Sequence, residues 1–105
     1  MITEQYTLLV KFIAKTGKER ELRNSLLELV SETLKEEGCL NFDLHESLTD
    51  SRQFMIYENW VNKDFHAKHN ESPHVLNWRK NCYQFLDVPT DKSIWKYLKN
   101  LSLTK

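Results

Sequence analysis

The stretch "YTLLVKFIA" at residues 6–14 constrains the fold of this chain more than any other. It is a short run of β-formers, and alternation places Tyr6, Leu8, Val10 and Phe12 on one side. Thr7, Leu9, Lys11 and Ile13 fall on the other. Both sides are largely apolar, so the strand should be covered on both faces. A chain of 105 residues has material for one core and little for a second. Its own helices can shield one face of a sheet, which leaves the other to be covered from outside.

The elements that follow fit this frame. Thr16 and Glu19 have the spacing of a capping box. Leu22, Leu26, Leu29, Val30 and Leu34 then recur at helical spacing, and Gly38 stands where a helix end favours a left-handed residue. The spacing predicts a helix from about Lys18 to Glu37. In "NFDLHES", Phe42 and Leu44 alternate with Asn41, Asp43 and His45. The turn "LTDS" leads into "RQFMIYENW", the second half of a hairpin. Asn62 can cap a short helix through His69, and Ser72–Pro73 reads as the start of another. That second helix puts Val75, Trp78, Cys82 and Phe85 on one face, and "SIWKYL" after Pro89 is the last strand. The order β-α-β-β-α-β, with the second α region broken in two, predicts an α+β ferredoxin-like fold as a single domain over 1–105. Its four-stranded antiparallel sheet would carry helices on one face. The other face would present Leu9, Ile13, Met55, Tyr57, Trp95 and Tyr97, an apolar patch best covered by a second copy in an isologous homodimer.

Charge excludes one class of partner. Fifteen Lys+Arg balance fifteen Asp+Glu, so no net charge draws the chain to nucleic acid or an anionic membrane. Cys39 and Cys82 are too few for a disulfide scaffold and match no zinc spacing. The N-terminal stretch lacks a signal-peptide pattern, and no apolar run approaches a membrane span. The expectation is a soluble, reduced, cytoplasmic protein.

Four features together carry a resemblance: "EEGCLNFDL" after the first helix, "FMIYENW" as third strand, Phe65 and His69 as F-x-x-x-H, and "SPH" opening the next helix. With them the sequence resembles the antibiotic biosynthesis monooxygenase superfamily, whose members are ferredoxin-like and pair as dimeric α/β-barrels. The resemblance implies a pocket between the sheet and the short helices. It further implies a monooxygenase that needs no cofactor and oxidises a quinol or polyphenol-like aromatic substrate with dioxygen. Isomerisation of a small, phosphorylated hydroxy-ketone is the alternative; it would need a cation by the pocket, with Lys11, Lys63 and Lys68 nearest in sequence. A non-catalytic ligand-binding module is a third. The heme-degrading branch is not matched: strand one lacks its Asn, His69 occupies its Trp position, and "LNWRKN" offers no histidine ligand.

Chemistry of this kind needs a base that titrates near neutrality and a flat apolar slot. His69 is the candidate base, sharing a helix face with Phe65. Trp60, Tyr57 and Phe42 are the candidate walls, although parity sets Trp60 and Tyr57 on opposite faces of their strand. His74, in the first turn after Pro73, is expected at the pocket mouth, and His66, off the Phe65–His69 face, in solvent. Glu58 is a carboxylate among apolar neighbours: buried, it should hold its proton unless a Lys or Arg pairs with it. No metal site is expected, since His66, His69 and His74 lack a standard ligand spacing.

Overall fold

The computed structural model describes residues 4–98. Its elements run β1 (Tyr6–Ile13), α1 (Glu19–Thr33), β2 (Cys39–Glu46), β3 (Gln53–Trp60), α2 (Lys63–Asn70), α3 (Pro73–Asn81), a 3-10 turn (Cys82–Gln84) and β4 (Asp91–Lys96). The strands form one antiparallel sheet in the order β2-β3-β1-β4, the ferredoxin-like arrangement that the element order predicts. Among the described residues no helix is long and apolar enough to cross a membrane.

One face of the sheet holds the core. Leu8, Val10 and Phe12 of β1 meet Leu22, Leu26 and Leu29 of α1, with Phe42, Phe54 and Ile56 from the neighbouring strands. The two-residue alternation of β1 and the helical spacing of α1 therefore point at each other, which is why these segments settle as strand and helix. The break in the second α region lies at the expected place: Ser72 caps α3, its side chain accepting from the Val75 amide, with Pro73 in the first turn. Asn62 caps α2 through the Phe65 amide.

Two boundaries differ from expectation. The Thr16–Glu19 box does not form; Lys18 stands at the N-cap with no side-chain bond, and the chain enters the helix through a turn at Gly17, φ +89°. At the other end α1 stops at Thr33, and residues 34–38 are turns instead of a last helical turn. This early stop takes Glu36 off the helix and lets it reach the short helices. In β2, a bulge between Cys39 and Asn41 leaves Leu40 exposed and brings Cys39 and Phe42 to the core side together.

The opposite face is apolar and open. Leu9, Tyr57, Trp95, Tyr97 and Leu98 line a shallow groove there, with Trp95 57% exposed. Beside it a polar chain runs across the strands, Thr7 Oγ1 donating to Asn59 Oδ1 and Asn59 Nδ2 to Asn41 Oδ1.

Candidate active site

Between the helices and the sheet lies a cavity of about 390 Å³. Val10, Phe12, Phe42 and Ile56 form its apolar floor, Val75 and Trp78 its helical side. Glu58, His66 and His69 project into it, and Arg79, Thr90 and Lys92 lie along its rim. Each position follows from local structure. Glu58 shares strand parity with Phe54 and Ile56, and His66 and His69 sit one helical turn apart on α2.

His69 is 5% exposed. Its Nδ1 donates to Glu36 Oε2 at 2.6 Å, and His74 Nε2 donates to the same oxygen at 2.7 Å. A carboxylate only accepts, so each imidazole must carry its proton on the nitrogen facing Glu36. That leaves His69 Nε2 with a lone pair and no partner among the described residues, on a ring packed 4.7 Å from Trp60 and 5.5 Å from Phe42, centroid to centroid. Burial pulls His69 below the usual histidine range, partly offset by its bond to Glu36. At neutral pH it is an uncharged, oriented base. Ser72 ties α2 to α3 around this pair, donating from Oγ to the His69 carbonyl at 2.7 Å.

Glu58 is 4% exposed. Its Oε1 accepts from Trp60 Nε1 at 2.8 Å and lies 3.8 Å from His66 Nε2. No Lys or Arg pairs with it among the described residues, so burial dominates and pushes its pKa up to about 7. Burial likewise carries His66 down to about 4. Between these values both groups are neutral, so the short distance joins an uncharged acid to an uncharged imidazole, not an ion pair. The consequence for stability has a definite sign. A carboxyl whose pKa is raised on folding favours the native state fully below its unfolded value and loses that contribution as pH rises through about 7. Glu58→Gln keeps an oxygen for Trp60 and removes the titration. Its stability relative to the parent should therefore grow by about 3 kcal/mol between pH 4.5 and 7.5, read from denaturant unfolding at a series of pH values. A pH-independent difference would show that folding does not raise the Glu58 pKa.

The sequence-predicted residues are only partly brought together. His69, Phe42 and Glu58 line the cavity. Trp60 is fully buried behind the wall, holding Glu58 and backing His69. His74 reaches the site through Glu36. Phe65 packs outside the cavity, over Gly38. Tyr57, expected as a wall, lies on the open face of the sheet, as its parity requires. His66, expected in solvent, is 7% exposed and faces Glu58; the ring next to His69 on the inward side of α2 is His66, not Phe65. Glu36 carried no signal in the sequence beyond standing two residues before Gly38. Lys11 lies on the opposite face, and neither Lys63 nor Lys68 lines the cavity.

Glu36, His69 and His74 offer three donors within 4.8 Å of one another. A tetrahedral ion would hold such donors about 3.3 Å apart. The contacts at 2.6 and 2.7 Å are hydrogen-bond distances instead.

The fold and this cavity define a class: a ferredoxin-like domain with an apolar pocket, an oriented neutral histidine and a proton-holding carboxyl. Residues 5–81 match the family model described as antibiotic biosynthesis monooxygenase, and the chain belongs to that family. It is 27% identical over 88 residues to "Putative monooxygenase Rv0793" of Mycobacterium tuberculosis, covering 84% of this chain and 86% of that one. It is 27% identical over 77 residues to "Putative monooxygenase YcnE" of Bacillus subtilis, covering 73% and 81%. The crystal structure of PA3566 from Pseudomonas aeruginosa superposes with a TM-score of 0.87 at 25% identity, over 94% of this chain and 99% of that one.

Proposed function

We propose that this chain is a cofactor-independent monooxygenase that oxidises a quinol or polyphenol-like aromatic substrate with dioxygen. The observation that carries the reading is His69: a buried, neutral imidazole lining the cavity, its Nδ1 held by Glu36 and its Nε2 without a partner among the described residues. The family resemblance supplies the reaction; the site supplies a base for it.

The substrate ring lies between Phe42 and Ile56 on one side and Trp78 on the other. His69 Nε2 takes a proton from the substrate hydroxyl or from an activated ring carbon, and Glu36 stabilises the imidazolium that results. The electron-rich anion passes one electron to dioxygen, and the radical pair combines into a carbon–oxygen bond. The hydroperoxide then loses water to leave a carbonyl. One oxygen atom enters the substrate, the other leaves as water, and the substrate supplies every electron. Glu58, protonated up to about pH 7, can donate to the developing peroxide or carbonyl oxygen. The apolar walls keep bulk water from the anion.

Oxygen uptake by the purified protein with a panel of hydroquinones and anthrone-like phenols tests this. The expected result is protein-dependent consumption of one dioxygen per substrate, with one labelled atom from ¹⁸O₂ in the product. No uptake across the panel would defeat the reading. Turnover of a hydroxy-ketone without oxygen would point to isomerisation instead, and binding without turnover to a ligand-binding module.

The open sheet face is proposed to be the homodimer interface. Leu9, Tyr57 and Trp95 are too large an apolar surface to leave in water. Trp95→Asp should convert a dimer into a monomer at micromolar concentration in sedimentation velocity. A parent protein that sediments as a folded monomer would refute the interface.

A further inference from the structure

The cations at the cavity rim have no part in the chemistry above. Arg79 and Lys92 both line the cavity, and neither is ion-paired among the described residues. The Arg79 Nη2 donates to Asn70 Oδ1 at 2.9 Å, which fixes the guanidinium at the edge of the pocket beside another lining residue. Lys92 comes from the facing strand. Burial at the rim and then the Arg79 charge pull Lys92 below the usual lysine range, so the two cations already repel one another. The Glu58 carboxyl, which lines the same cavity, opposes that shift, and its Oε1 accepts from Trp60 Nε1. Two cations converging on one apolar pocket, one of them fixed by an amide, form a seat for an anion attached to a flat apolar body.

We propose that Arg79 and Lys92 bind an anionic group, a carboxylate or a phosphate, carried on the aromatic ligand of this pocket. The ring lies on Phe42 and Ile56 while the anion stays at the rim, between α3 and β4. This rests on the reading of the cavity as the substrate site and narrows its substrate class to acidic aromatics. Orientation follows too: the anchored end fixes which ring edge meets His69 Nε2.

Binding of three probes that cannot be oxidised tests the proposal apart from turnover: 2-naphthoate, 2-naphthyl phosphate and the neutral 2-naphthamide, each titrated against the full chain by calorimetry at low and high salt. The expected result is binding of at least one anion roughly tenfold tighter than the amide, the margin shrinking as salt rises. Which anion binds tighter tells carboxylate from phosphate. Arg79→Met and Lys92→Met should each cut the anion's margin over the amide, and an unchanged cooperative thermal unfolding transition reports that the variants fold. Equal affinity for all three probes, a margin that survives both substitutions, or no binding of any probe by millimolar concentration would overturn it. An anion preference without oxygen uptake from any quinol would leave the seat standing and remove the oxygenase; oxygen uptake from neutral and acidic quinols alike would do the reverse.

Discussion

His69→Gln should lower kcat/KM for quinol oxidation by roughly 10²–10⁴-fold with little change in thermal stability. Glutamine can still donate to Glu36 and fills much of the same space, so the loss would report the missing lone pair at Nε2 and not a collapsed pocket. The parent's kcat/KM should fall as pH drops through the His69 pKa, which burial places below the usual histidine range; the imidazolium has no lone pair to offer. That acid limb should vanish in the variant. Glu36→Gln makes a companion with a smaller loss. Its amide oxygen can stand where Oε2 now accepts from both imidazoles, so the variant keeps the hydrogen bonds and removes only the negative charge that stabilises the imidazolium. If His69→Gln turns over substrate at the parental rate, proton abstraction belongs to another group, and Glu58 is next in line.

Gly38→Ala should cost about 2–5 kcal/mol of stability, through two additive causes. Gly38 has φ +84°, a conformation that carries a Cβ poorly. A Cβ there would also stand 2.2 Å from Phe65 Cγ. The backbone cannot retreat, because the Gly38 carbonyl accepts from the Val61 amide at 2.9 Å. Phe65 would have to give, and it belongs to α2, the helix that carries His66 and His69. The substitution therefore couples stability to the site: a loss of roughly 10–20 °C in Tm should come with a weaker His69–Glu36 bond. Denaturant unfolding of Gly38→Ala and Phe65→Ala, singly and together, separates the causes: with Phe65 Cγ and Cδ1 gone, Gly38→Ala should cost less, leaving the backbone strain and the remaining Cβ contact. A change under about 1 kcal/mol would mean the Gly38–Phe65 contact is looser than described.

The fold was legible in the sequence where a period repeats and was lost where one residue breaks it. Leu8, Val10 and Phe12 alternate without interruption, and Leu22, Leu26 and Leu29 hold a single helical face, so β1 and α1 pack as their patterns require. Ser72–Pro73 is a local stop signal and acts as one. The site was harder to read because its members come from elements whose relative placement no local pattern encodes. Glu36 lies in a turn created by the early end of α1, and only tertiary packing brings it under α2 and α3. A helix face drawn through Phe65 and His69 leaves His66 outside, yet at 100° per residue His69 falls between Phe65 and His66, so either neighbour can turn inward with it. The choice is made by Gly38, whose missing side chain admits Phe65 at the edge and leaves the interior to His66. Strand parity, by contrast, had already placed Tyr57 opposite Trp60, and the structure keeps it there.

The protonation state of the His69 ring at rest tests the central claim most directly. A long-range ¹H–¹⁵N correlation spectrum of the protein at pH 7, assigned with the His69→Gln variant, reads the two ring nitrogens separately. The account predicts a neutral ring with its proton on Nδ1, toward Glu36, and a bare Nε2 facing the cavity. A proton on Nε2, or a doubly protonated ring at pH 7, would contradict it.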